Sequence, residues 1–182
     1  MLLPKLSDEQ VAWIVKEVAN YIQKQRHRFI ARAVHLNPNQ KADLQSFFPA
    51  SALDSARILV LTRERVPNPY FYAQLLAMGF TPDSLPDFSH MAAVTFVETI
   101  VSHGQLTDTT LFHELVHLVQ YTKLGLQDFA AKYVRGFLNG GSYKAIPLEM
   151  NANELDAQFA SAPMNGFTVE TEVQAWIDAG KF

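Results

Sequence analysis

The segment Leu111-Phe112-His113-Glu114-Leu115-Val116-His117-Leu118-Val119-Gln120 limits this chain more than any other. Its apolar residues surround the helix axis almost completely, and a helix that is apolar nearly all round belongs inside a fold. The same segment carries two histidines and a glutamate, which are costly to bury without partners or a ligand. Helical spacing arranges them. His113 and His117 stand one turn apart and present two imidazoles side by side, whereas Glu114 is rotated by about 100° from His113 and lies next to the pair. Thr107-Asp108-Thr109-Thr110 supplies N-cap residues and a first-turn carboxylate, and Lys123-Leu124-Gly125 a basic last turn with a glycine stop.

With six His and nine Glu among 182 residues, about 0.01 accidental His-Glu-x-x-His matches are expected by multiplying frequencies, so the motif carries information. Two imidazoles four apart on a helix can share one metal ion, and the neighbouring Glu can hold a water at that ion, which is the layout of a zinc hydrolase. The bland alternative is a pair of core histidines bonded to backbone carbonyls, with Glu114 in a salt bridge. A hydrolytic zinc keeps three protein ligands and one open position, so a third ligand is needed. The chain has no Cys, which excludes thiolate ligands, disulfides and a thiol nucleophile. The extended pattern His-Glu-x-x-His-x-x-Gly-x-x-His also fails, because Gln120 and Lys123 occupy its last two positions.

A later helix offers an acid instead. Pro147 suits a first helical position, and Glu149 follows in the first turn. Glu149, Asn153 and Asp156 share one face, interleaved with Ala152, whose small side chain lets two helices approach closely. Glu154 points nearly the opposite way, so Glu149 is preferred to Glu154 as the third ligand.

The remaining sequence predicts an α+β fold, predominantly helical, in one domain: N-terminal helices and sheet over 1–105, metal-site helices over 106–160 and a C-terminal helix over 161–182. Ser7 and Gln10 form a capping box ahead of a helix reaching about Val34, whose later part, Lys24 to Arg28 with Arg32, is a basic cluster read as a solvated face. A short helix is expected over Gln40–Phe48, a strand over Arg57–Arg63, a helix over Tyr70–Met78 stopped by Gly79, and a loop over Thr81–Asp87. The trio Tyr70, Phe71 and Tyr72 is read as core. Ala93 to Val101 is the best strand, placed to pack on the motif helix and to offer an edge to an extended peptide. Helices over Gln127–Leu138 and Val169–Ala179 complete the chain, the last with Val173, Trp176 and Ile177 inward. A net charge of −3 argues against nucleic acid or an anionic membrane as partner. No stretch has the length of a signal peptide core or a membrane span, which leads to the expectation of a cytoplasmic protein.

His113 to Gln120 together with Pro147 to Ala157 resembles the gluzincin metallopeptidases, the thermolysin-like group that joins His-Glu-x-x-His to a downstream Glu. The same residues are similar to a set of uncharacterised bacterial proteins with His-Glu-x-x-His-x-x-Gln followed by Pro-x-Glu-x-x-Ala. The resemblance implies a zincin-like fold, one Zn2+ held by His113, His117 and Glu149, Glu114 as catalytic base, and a peptide or protein as substrate. Gluzincins often carry Asp four residues after the ligand Glu, to orient an imidazole. Here that position is Asn153, and Asp156 is the substitute.

The expected chemistry is hydrolysis of a peptide (amide) bond by a zinc-activated water, with Glu114 taking its proton and passing it to the leaving amine. The developing oxyanion needs a further donor, for which His103, Tyr121, Tyr133 and Tyr143 are candidates. The alternative is a non-enzymatic zinc-binding structural or interaction domain with a residual site.

Overall fold

In the computed structural model, which describes residues 3–182, helix α1 (Asp8–Phe29) begins where Ser7 and Gln10 exchange side-chain and backbone hydrogen bonds. The apolar periodicity points to a helix ending near Val34. Regular α-helix stops at Phe29, and a 3-10 turn (Ile30–Arg32) swings the chain into β1 (Val34–His35), which pairs with β2 (Arg57–Val60). Pairing in a sheet overrides the helical pattern there. The basic cluster is largely answered by acids: Arg26 grips the Glu98 carboxylate at 2.8 and 3.0 Å, and Arg28 and Arg32 both meet Glu64.

Between these strands, Asn37 caps α2 (Pro38–Leu44), which starts at Pro38 instead of Gln40 because proline fits the first turn. A second short helix, α3 (Ala50–Ser55), lies where none was expected. Helix α4 (Tyr72–Ala77) follows β2, and the aromatic trio before and within it divides: Phe71 is in the core, Tyr72 is half-buried, and Tyr70 is 52% exposed.

The run read as one strand is a hairpin. β3 (Ala93–Phe96) and β4 (Thr99–Ser102) pair antiparallel around Val97 and Glu98, and Val97 has a φ of 63°. A turn with positive φ at its first central residue ordinarily takes glycine, and a β-branched residue there is strained. Propensity alone therefore sees an unbroken strand. The sheet order is β1-β2-β4-β3, with β2 and β4 parallel and the other pairs antiparallel, so β3 is an edge.

Helix α5 (Asp108–Gly140) unites the two helices expected on either side of Gly125. That glycine breaks the helical path with φ 74° and ψ 165°, a conformation open to little but glycine. A 3-10 turn (Tyr143–Ala145) leads to α6 (Pro147–Ser161), and α7 (Val169–Asp178) closes the fold with Val169 and Val173 buried and Trp176 and Ile177 half-buried. No helix of the described residues is long and apolar enough to cross a membrane.

The core lies on both sides of α5. On one side Leu111, Phe112, Leu115 and Val119 pack with α2, α3, α6 and α7, and Phe112 stacks on Phe159 at 4.4 Å with Phe47 and Phe48 edge-on. On the other, Tyr121, Phe129, Val134 and Phe137 pack with α1 and α4. Helices α5 and α6 are held close by small residues: Ala152 is fully buried, and a Cβ on Gly136 would lie 2.5 Å from Cδ of Pro147.

Gly136→Ala is accordingly expected to push the start of α6 away from α5. Overpacking of this kind costs about 1–3 kcal/mol, to be read from the urea midpoint of the two proteins. An unchanged midpoint would show that Pro147 yields freely.

Candidate metal centre

The N-terminal half of α5 is positioned by its cap, Thr107, whose hydroxyl accepts from Thr110 N, and by the apolar contacts of Leu111, Phe112 and Leu115. Those contacts orient His113, Glu114 and His117 toward α6 and the sheet. Pro147 starts α6 so that Glu149 falls in its first turn, 3% exposed, facing the two histidines.

Three atoms then form a triangle. His113 Nε2 and His117 Nε2 are 3.1 Å apart, and each is 3.5 Å from Glu149 Oε2. Ligand atoms at about 2.0–2.1 Å from a tetrahedral ion stand roughly 3.3–3.4 Å from one another. The spacing therefore matches one face of a tetrahedron around an ion of that size, and His113, His117 and Glu149 lie close enough together to bind a metal ion.

Proton bookkeeping reinforces the geometry. Asp156 Oδ2 is 2.7 Å from His113 Nδ1, and an ionised carboxylate only accepts, so that nitrogen carries a proton. Gln120 Nε2 donates to the Leu148 carbonyl and to Asn151 Oδ1, both at 3.0 Å, which turns Gln120 Oε1 toward His117 Nδ1 at 2.9 Å. His117 Nδ1 is thus a donor as well. In their neutral forms both imidazoles aim an Nε2 lone pair at the other and at a buried carboxylate. Such a group demands a shared cation, either a proton or a metal ion. Burial opposes charge on His113, yet its hydrogen bonds to the Asp156 and Glu149 carboxylates raise its pKa to about 10. His117 is also raised, against its burial, chiefly by the Glu149 charge. Burial would raise the Glu149 carboxyl, but the two histidines hold it far below the usual carboxylate range.

Glu114 stands apart from the triangle. It is buried, its Oε2 accepts from Thr95 Oγ1 at 2.7 Å, and burial raises its pKa against the opposing pull of His117 and His113. Thr95 sits on edge strand β3, so the sheet reaches the site through this one hydroxyl. Glu114, His117, Glu149 and Thr95 all line a single cavity of about 100 Å³.

The other candidates separate clearly. Asp156 does orient an imidazole, and Asn153 does not: its amide donates to the Glu149 carbonyl one turn back. Glu154 is exposed. His103 is not at the site, since its ring bonds Val66 N and the Met91 carbonyl. Tyr121 donates to the Thr95 carbonyl at 3.4 Å, whereas Tyr143, on the turn before α6, lines the cavity and is held un-ionised by burial and by the charges of Glu149 and Glu114. Tyr133 lines it too, and is raised by burial, Tyr143 and Glu149. Gln120 and Thr95 were assigned no role from the sequence. Gln120 stands three residues after His117, but the groups that fix its amide, the Leu148 carbonyl and Asn151 Oδ1, lie on another helix. Comparison of the chain with protein-family models, with curated proteins and with solved structures finds no match.

Metal uptake at pH 7 must displace the protons that the triangle otherwise shares. Titration calorimetry with zinc in buffers of different ionisation enthalpy is expected to show release of at least one proton per ion, and affinity that falls as pH is lowered. Gln120→Ala, which frees the His117 ring, is expected to weaken binding about 10- to 100-fold; unchanged affinity would remove Gln120 from the site.

Proposed function

We propose that this chain is a zinc-dependent hydrolase of peptide (amide) bonds on a zincin-like plan, with His113, His117 and Glu149 holding one Zn2+ and Glu114 as general base. The observation that carries the proposal is the triangle of two Nε2 atoms and one carboxylate oxygen with Glu114 beside it. Two neutral imidazoles and a carboxylate are a zinc set, and zinc held there supplies a Lewis acid and a water ionisable near neutrality. Among the described residues no fourth His, Asp or Glu joins the group. A structural zinc closes its fourth corner with protein, so this favours the catalytic reading over the purely structural one.

The chain's own residues supply the rest. Thr95 fixes one oxygen of Glu114 and so sets the direction of the carboxylate. Burial raises the Glu114 pKa toward the range in which it takes a proton from water and returns it to a leaving amine. Asp156 and Gln120 hold both rings in the tautomer that leaves Nε2 free. Tyr143 is the donor assigned to the developing oxyanion, because it lines the same cavity next to Glu149. Strand β3 is the edge of the sheet, where an extended peptide adds by main-chain hydrogen bonds, although its Thr95 carbonyl already accepts from Tyr121.

Glu114→Gln is expected to keep stoichiometric zinc, measured on chelator-free protein, and to lose about 10²–10⁴-fold in turnover of a quenched fluorescent peptide mixture. Glu149→Ala is expected to lose the zinc. Full turnover in the first variant, or full zinc in the second, overturns the assignment.

A further inference from the structure

The cavity that ends at Glu114 and Glu149 is lined almost wholly by carbon. Ile14 and Val18 of α1, Leu75 of α4, Phe80, Val94 of β3 and Phe137 of α5 make its walls away from the metal centre. Its ionisable side chains apart from tyrosines are Glu114, His117 and Glu149, all at one end, and no Lys, Arg or Asp lines it among the described residues. Three of its tyrosines have already turned their hydroxyls to backbone: Tyr21 donates to the Pro67 carbonyl at 2.7 Å, Tyr72 to Pro86 at 2.6 Å and Tyr121 to Thr95 at 3.4 Å. Apart from the hydroxyls of Tyr133 and Tyr143, the walls therefore offer a ligand neither counter-charge nor unused side-chain polar partners. A charged or strongly hydrated group placed there would lose its water for nothing in return.

From this lining we infer that the substrate's scissile carbonyl carries a neutral apolar arm, an aliphatic chain of about four or five carbons beyond the carbonyl, which occupies this cavity. The size follows from the volume, since about 100 Å³ is two thirds of the roughly 150 Å³ that takes up one benzene ring, which leaves room for about four carbons. The direction follows from the polar groups being confined to one end, which places the carbonyl by His117, Glu149 and Glu114 and the arm against α1 and α4. The carbonyl half of this inference rests on the hydrolase reading; the arm rests on the cavity alone.

The test is calorimetric titration of the zinc-loaded full chain with straight-chain hydroxamates of two, four, six and eight carbons. Affinity is expected to rise about fourfold per methylene to six carbons, and 6-aminohexanoyl hydroxamate is expected to fall back to the level of the two-carbon compound. Equal affinity along the series, or an ammonium tolerated at the far end, overturns the proposal. Leu75→Trp, which fills the far end, is expected to flatten the series at unchanged zinc content; Val94→Phe serves if that variant does not fold, and a slope preserved in the folded variant also overturns it. In metal-free protein, 1-hexanol is expected to raise the melting temperature where 1,6-hexanediamine does not. Hexanol stabilisation in a protein that binds no zinc would sink the hydrolase reading and leave the apolar site standing. Turnover with a flat hydroxamate series would do the reverse.

Discussion

Two imidazole lone pairs and one carboxylate, held within 3.5 Å of each other and largely shielded from water, call for a cation between them. Everything around them keeps that demand from being relieved in another way. Were His113 free to turn, its Nδ1 could face Glu149 and the pair would relax into an ordinary hydrogen bond. Asp156 prevents this by holding Nδ1 at 2.7 Å. His117 is held more indirectly, through an amide that is itself fixed by the carbonyl of Leu148. Since Leu148 stands next to Glu149, one helical turn supplies both the third corner of the triangle and the anchor for the second.

The fold serves this arrangement by letting α5 and α6 approach closely. Gly136 against Pro147 and the buried Ala152 remove the bulk that would separate the axes, and Phe112 stacked on Phe159 ties the same two helices farther along. Large apolar contacts give the stability and small residues give the register. The sheet has a narrower part. Its edge strand reaches the site through Thr95, and the strained turn at Val97 folds β3 back antiparallel to β4, placing Thr95 opposite Ile100 and next to Glu114.

Much of the site was legible because helical spacing is short-range. Four residues separate the histidines, and seven separate Glu149 from Asp156, so one face of each helix could be written down without knowing how the helices meet. The preference for Glu149 over Glu154 came from the same periodicity, and Glu154 is indeed exposed. What escaped depends on contacts between elements. Asn153 occupies the position where a gluzincin often has its orienting acid, yet its amide finds the carbonyl one turn back, and Asp156 one turn further along reaches the ring. His103 stood close to the motif in sequence but is spent on Val66 and Met91. In the fold, the hairpin was missed because Val97 adopts a conformation its side chain disfavours, and the continuation of α5 past Gly125 because one glycine breaks the path without reversing it.

The apolar cavity and the charged triangle are two consequences of one choice. In the proposed hydrolase, Glu114 as base gains strength from burial, and the attraction between Glu149 and the imidazoles grows in the same apolar surroundings. The walls of the cavity are largely carbon, and many of them are contributed by α1 and α4, elements with no ligand of their own. On the proposed function, the walls that set the electrostatics also set which molecules enter, because a substrate would occupy the same space. Enlarging that space with polar groups would admit water, lower the pKa of Glu114 and loosen the triangle. The proposed selectivity for apolar groups and the proposed strength of the base are in this way coupled by burial, without any residue that serves both directly.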